Sequence, residues 1–230
     1  MKRVVFGIGM LCLCASSAFA TISRDEVKRL NQAGAILSEL RHSADKGIPE
    51  AIWDKAQCVL VIPAMKKAAF IVGGEYGSGV MSCRTKGWSA PVFMQLAKGS
   101  WGLQIGAEET DLVLLIMNRR GLDKLLEDKA SLGVDASVAA GPVGRSGSAA
   151  TDAQMGAEML SYSHSQGAFA GIDLSGGVLR PDTEADARAY GNNVTARDIV
   201  MGTRPVLKLA EADPFIRALQ TDVRATTGKK

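Results

Sequence analysis

The spacing of apolar residues changes rhythm twice along this chain. Val27, Leu30, Ala33, Leu37 and Leu40 recur at helical spacing. They follow Ser23-Arg-Asp-Glu26, which has the form of a capping box, with Ile22 and Val27 placed as a hydrophobic staple. A helix is therefore expected from Ser23 to about Gly47, and Pro49 can open a short second one ending near Gln57. From Cys58 the texture becomes β. Strands are expected over 58–62, 68–72, 76–84 and 91–97, separated by the turn signals Gly73-Gly74, Lys86-Gly87 and Lys98-Gly99.

The stretch 100–117 carries the strongest pattern. Trp101, Leu103, Ile105 and Ala107 alternate with Ser100, Gly102, Gln104 and Gly106, as in a half-buried strand. Leu112 to Met117 is apolar throughout and should be buried on both faces. Between the two runs stand Glu108, Glu109 and Asp111. Carboxylates can hold a hard cation, but the spacing of a calcium loop is missing, so the expectation is a solvated acidic turn.

Residues 121–129 read as a helical interruption. Alternation returns over 132–138, and further strands are expected at 158–164 and 168–175. Small polar positions recur at Gly102, Gln104 and Gly106, at Gly133, Asp135 and Ser137, and at Gly171, Asp173 and Ser175. They suit either a ligand groove or an open face with tight corners, and the open face is the expectation. Helical patterns close the chain at 183–190, 195–201 and 210–226, before a tail at Gly228-Lys-Lys230. Short strands at about ten-residue spacing between helical ends predict one α+β domain. Its core would be a β-rich antiparallel sheet, curved or barrel-like, flanked by N- and C-terminal helices.

The N-terminus changes where this domain should work. Lys2 and Arg3 precede an apolar run from Val4 to about Leu13, and Ala18-Phe19-Ala20 is a small-x-small cleavage pattern. Residues 1–20 are thus expected to be a signal peptide, leaving 21–230 as a single periplasmic or secreted domain. No second apolar run reaches the ~18 residues of a transmembrane helix. Cys12 and Cys14 raise a lipoprotein alternative, but Leu11 and Leu13 stand where a small residue should precede a lipidated Cys. The formal charge of +3 falls to +1 without Lys2 and Arg3, which argues against nucleic acid as a partner. Cys58 and Cys83 would remain in an oxidising compartment, either bonded or as two reduced core thiols.

Little in the sequence points to catalysis. His42 and His164 are the two histidines, so no zinc set built on His spacing is available. Ser161 or Ser163 with His164 would be needed for a serine hydrolase, but neighbouring strand residues face opposite ways. The nucleophile-elbow pattern is also missing. No cofactor is expected. Gly141-Pro-Val-Gly-Arg-Ser-Gly147 can act as an anion nest or a plain surface loop, and lacks the ending of a P-loop. Lys66, Lys67, Arg84 and Lys86 form a second basic candidate beside Arg145. The first helix mixes Arg24, Lys28, Arg29 and Arg41 with Asp25, Glu26 and Glu39, which suits packing on its own sheet better than lying in a membrane interface.

Several stretches in order resemble the SYLF-domain family, a lipid-binding domain also called the yeast-type actin-binding domain. They are Val61-Ile-Pro63 with Lys66-Lys67, Gly77-Ser-Gly-Val80, Trp88-Ser-Ala-Pro91, Gly102 to Glu108 with Asp111, Ser137 to Arg145, Tyr162 to Gly167, Phe169-Ala-Gly171, and Tyr190-Gly191 with Val194-Thr-Ala-Arg197. The export signal would place the chain in the family's secreted bacterial branch. The resemblance implies a non-enzymatic module for acidic lipids, phosphoinositides in eukaryotic relatives. In a bacterial envelope the nearest substitute is anionic phospholipid or another acidic component at the periplasmic membrane face. Lys66, Lys67, Arg84, Lys86 and Arg145 are the expected cationic contacts. Actin is not expected as a partner. The alternatives are an envelope protein-interaction or structural module and, behind it, the serine hydrolase.

Overall fold

The computed structural model describes residues 22–42, 47–69, 72–101, 106–127, 129–143, 156–165 and 168–220. The expected signal peptide, Cys12 and Cys14, Arg145, the strand face at Gly102 and Gln104, and the tail lie outside them. The helices are α1 (Arg24–His42), α2 (Glu50–Lys55), α3 (Arg119–Leu125), α4 (Thr183–Tyr190), α5 (Ala196–Met201) and α6 (Asp213–Gln220), the last entered through a 3-10 turn at Ala210–Ala212. The strands are β1 (Cys58–Ala69), β2 (Val72–Cys83), β3 (Val92–Trp101), β4 (Gly106–Ile116), β5 (Ala130–Ser131), β6 (Val138–Ala140), β7 (Met159–Ser165), β8 (Ala168–Gly171) and β9 (Gly177–Pro181).

The fold is α+β, a strongly curled half-barrel sheet with helices of both chain ends against it. Among the described residues the sheet runs β5-β9-β3-β2-β1-β4-β7-β6, with β8 paired to β7. The central order β4-β1-β2-β3 is antiparallel throughout, the arrangement of a Greek key. Leu60, Val61 and Ile62 of β1, with Leu112 to Ile116 of β4, are fully buried, as their unbroken apolar runs predict. Each large side chain enclosed this way contributes about 1.5–3 kcal/mol. Cys58 and Cys83 stand opposite each other at one end of the β1–β2 pair and are joined by a disulfide.

Helix α1 starts as its sequence requires. The Ser23 amide donates to the Glu26 carboxylate, and the Glu26 amide donates to Ser23 Oγ at 3.3 Å. Its buried stripe of Leu30, Ala33, Leu37 and Leu40 packs on β1, β2 and α6. Gly34 lets α6 approach, since a Cβ there would lie 3.0 Å from the backbone carbon of Pro214. Helix α4 is tied to the start of β3. Tyr190 Oη donates to Pro91 O at 2.7 Å, and the amide of Asp182, its N-cap, donates to Phe93 O at 2.8 Å.

Several elements depart from expectation. Residues 58–62 and 68–72 do not form separate strands; β1 runs from Cys58 to Ala69 through an irregularity near Pro63-Ala64. Ala64 has φ 47°, and its amide donates to Asp111 Oδ1 at 2.8 Å. The carboxylate satisfies a donor that the interrupted pairing leaves over. Across from the irregularity, a Cβ on Gly79 would sit 2.4 Å from Val61 O, and one on Gly77 2.4 Å from Ile62 Cγ2. Glycine is required there because β1 leans over β2.

The acidic stretch Glu108 to Asp111 is not a turn but part of β4, paired with β1 through Thr110 and again from Leu112, with Asp111 at the irregularity. The alternation at 132–138 does not make a strand. Ser131 accepts the Asp135 amide while its own amide donates to Asp135 Oδ2 at 2.8 Å, and Gly133 takes φ 86°. Strand β8 stops at Gly171, because Asp173 accepts from both the amide and the hydroxyl of Ser175 in a turn of its own. Two of the three small polar sets therefore belong to turns rather than to a shared strand face. Strand β9, which no alternation announced, pairs with β3 and β5.

Candidate functional site

The cations singled out from sequence fall into two groups. Lys66 and Lys67 lie in the outer half of β1, while Arg84 and Lys86 lie just beyond the far end of β2. From Glu75, the cross-strand partner of Lys67, nine extended residues lead to Arg84, about 30 Å. One headgroup cannot touch both groups.

The lysine group is divided again by the strand pleat. Lys67 is paired in register with Glu75 of β2 and Glu108 of β4, and Glu75 is paired in turn with Lys98 of β3. Charges thus alternate in sign across four strands, with Lys67 Nζ 3.7 Å from Glu75 Oε1. Such a pair is worth about 0–1 kcal/mol in solvent. Its larger effect is to cancel the field an anion would need. Lys66 stands opposite Glu109 and Tyr76 and, with Lys28, Arg29, Asp25 and Ser78, lines a shallow groove of about 340 Å³ beside α1. Arg29 is already engaged there, 3.3 Å from Asp182 and over the Phe93 ring.

The Arg84 group has different surroundings. The Arg84 guanidinium lies 4.8 Å from the centre of the Trp88 ring, an aromatic stacking contact, and donates to Trp53 O at 3.3 Å. Lys86 is exposed at the tip of the turn between β2 and β3, which the Thr85 amide closes on Gly87 O at 2.7 Å. Next to it, Trp88, Ala90 and Pro91 form one side of a cleft of about 520 Å³. Val206, Leu207, Leu209 and Ile216 form the other side, with Lys208 and Arg217 also lining it. Leu207 is 63% exposed, and Lys208 Nζ lies 3.6 Å from Asp213. The sequence reading missed this apolar side. Val206, Leu207 and Leu209 follow no helical or strand period, and only the fold of the C-terminal segment brings them beside Trp88.

The residues considered for hydrolysis are occupied otherwise. Ser161 Oγ donates to Ile172 O and lies 3.2 Å from Ala139 O, and Ser163 Oγ donates to Ala170 O at 3.3 Å. His164 sits between Asp111, 3.3 Å from Nδ1, and Glu39, 3.2 Å from Nε2. The serines fasten β7 to its neighbours, while the imidazole joins α1 to β4. The two carboxylates approach opposite sides of that ring, so they do not converge on a common point. Among the described residues, no group of three His, Cys, Asp or Glu side chains is placed to hold a metal ion.

A second polar network fastens α1 to α4. Arg188 bonds Glu26 through both Nε and Nη2, at 2.9 and 2.6 Å. Burial tends to raise the Glu26 pKa, but hydrogen bonds from Ser23 and Arg188 outweigh it and hold the carboxyl below its ordinary range.

Comparison with known proteins agrees with this architecture. Residues 97–222 match the family described as "Ysc84: Las17-binding protein actin regulator". Protein YSC84 of Saccharomyces cerevisiae is 35% identical over 183 residues, covering 77% of this chain and 38% of the yeast protein. LAS seventeen-binding protein 3 of the same yeast is 36% identical over 184 residues, covering 77% and 39%. SH3 domain-containing YSC84-like protein 1 of Xenopus laevis is 34% identical over 184 residues, covering 78% and 54%. The chain thus spans between about two fifths and about half the length of these relatives. With the ordered motifs, the curled sheet and this match in hand, the chain belongs to the Ysc84 family, whose domain is also called SYLF.

Proposed function

We propose that the protein is a non-enzymatic module that binds acidic phospholipid at a membrane surface, with the Arg84 edge as its contact. The observation that carries this reading is the exposed Leu207 in a cleft lined also by Trp88 and Lys208, with Arg84 stacked on Trp88 and Lys86 exposed on the turn just before it. Apolar side chains with cations around them suit the boundary between headgroups and acyl chains. Each cation near an anionic surface adds about 1 kcal/mol. Lys66 and Lys67 contribute less, because carboxylates face them across the sheet.

The membrane is the periplasmic face of a bacterial envelope, reached by export and cleavage after Ala20. The basic-apolar start of the chain supports that placement, as does the Cys58–Cys83 disulfide, a bond that persists in oxidising compartments. A second reading, a module that binds another protein, draws on the relatives named for Las17 binding.

Cosedimentation with phosphatidylglycerol and phosphatidylcholine vesicles at low and high salt tests the first reading. The protein should pellet with the anionic vesicles at low salt only. Arg84→Glu with Lys86→Glu, or Leu207→Asp, should release it, while Lys67→Glu should not. Equal binding to neutral vesicles, or full binding by the Arg84/Lys86 reversal, would overturn the reading in favour of the protein partner.

A further inference from the structure

The two sides of the cleft beside Trp88 turn apolar for different reasons. On one side the backbone of 88–91 spends its polar groups on the rest of the fold. The Ser89 amide donates to Cys83 O at 2.8 Å, and Ser89 O accepts Ser82 Oγ at 2.7 Å. Ala90 O accepts Ser89 Oγ at 2.9 Å, Pro91 O accepts Tyr190 Oη at 2.7 Å, and proline has no amide hydrogen to satisfy. These bonds fasten the segment to β2 and α4, and Trp88, Ala90 and Pro91 line the cleft.

The other side has two parts. Asp213, Ile216, Arg217 and Gln220 stand at i, i+3, i+4 and i+7, so a single stripe of α6 lines the cleft. Phe215, Ala218 and Leu219 of the same helix are buried. Val206, Leu207 and Leu209 precede the 3-10 turn. Trp88, Val206, Leu209 and Ile216 are partly buried against the core, while Leu207 is left exposed. Lys208 and Arg217 in the lining are opposed by Asp213 alone, a surplus of one positive charge.

An occupant of this cleft must be apolar along its length and singly negative at one end. The chain's own continuation fits poorly, because Val223 is the one large apolar residue of 221–230. The volume of about 520 Å³ falls within the range of about 300–1,000 Å³ that holds one small ligand. Asp213 disfavours a multiply charged head, whereas one carboxylate suits a guanidinium with an ammonium nearby.

We propose that this cleft is a binding site for one fatty acid, with the alkyl chain between the Trp88 side and the Val206–Leu209 side and the carboxylate on Arg217 and Lys208. The inference rests on the reading of this edge as a membrane contact, since a docked protein could take the acid from the bilayer without passing it through bulk water.

Titration of the isotopically labelled protein with octanoate, decanoate and dodecanoate below their micelle concentrations, followed by amide NMR shifts, tests it. Shifts should centre on residues 88–90 and 206–209. Full burial of two methylenes is worth about fifteenfold, so each step in chain length should tighten binding at least fivefold. Decanoate should bind at least fivefold more tightly than decanol, and Lys208→Gln with Arg217→Gln, both at exposed positions, should remove that preference. Leu207→Ser should weaken decanoate at least fivefold, with amide shifts elsewhere unchanged. Vesicle binding without decanoate shifts at these amides would overturn the fatty-acid site and leave the membrane contact standing. Decanoate binding by a protein that ignores vesicles would support the site and overturn the membrane reading. Affinity independent of chain length, or decanol binding as tightly as decanoate, would overturn the proposal. So would a ligand-free dimer that Leu207→Ser dissociates, which would assign the cleft to a second copy of the chain.

Discussion

The inner and outer halves of the β1–β2 pair are built from the same two strands by different means. From Cys58 to Ile62 every β1 side chain is fully buried, and a disulfide closes the end. From Lys66 to Ala69 the register continues, but Lys67, Glu75, Lys98 and Glu108 occupy one cross-strand row of register positions in alternating sign. Between them lies the irregularity at Ala64, held by Asp111. Burial specifies the inner half, which therefore has little freedom to vary. Weak cross-strand charge terms specify the outer half, which can change its residues without unfolding the core.

The largest test of that difference is in the inner half. Leu60→Ala should lower the unfolding free energy by about 2–5 kcal/mol in chemical denaturation, since it empties a fully enclosed volume. Replacing both Cys58 and Cys83 by Ala should remove about 3.5 kcal/mol, the value expected for a closed loop of this length. At the boundary, Asp111→Ala should lose about 1–3 kcal/mol by leaving the Ala64 amide without its acceptor, with faster hydrogen exchange at that amide. In the outer half, Lys67→Glu should change stability by less than about 1 kcal/mol, and exchanging the charges of Lys67 and Glu75 by still less. A loss at Lys67 as large as that at Leu60 would break the comparison.

The same contrast governs what could be read from the sequence. The α1 start, the buried runs in β1 and β4, and helices α4 and α5 follow from local patterns, because caps and apolar periods act over a few residues. Cys58 and Cys83 could be named as a pair, but their bond depended on a register that only the folded sheet displays. The charge row across four strands was not legible, since its members are separated by up to 41 positions and none is patterned in its own strand. The turns at 131–136 and 173–175 mimicked strands because Gly, Asp and Ser alternate with apolar residues for reasons of turn geometry. Of the candidate site, Arg84 and Lys86 were visible as charges. Leu207, and Trp88 as a wall of the cleft, became informative only through neighbours distant in sequence.

The order of the sheet has one more consequence. Among the described residues its path ends in β5, two residues long, and in β6, three residues long. Long strands with open edges recruit further strands from other molecules, and very short ones offer them little to pair with. Beyond β6, the rest of the β7 edge is taken by β8. The long apolar strands at the centre are thus kept from self-association by their placement, while the brief peripheral strands serve as a guard against aggregation.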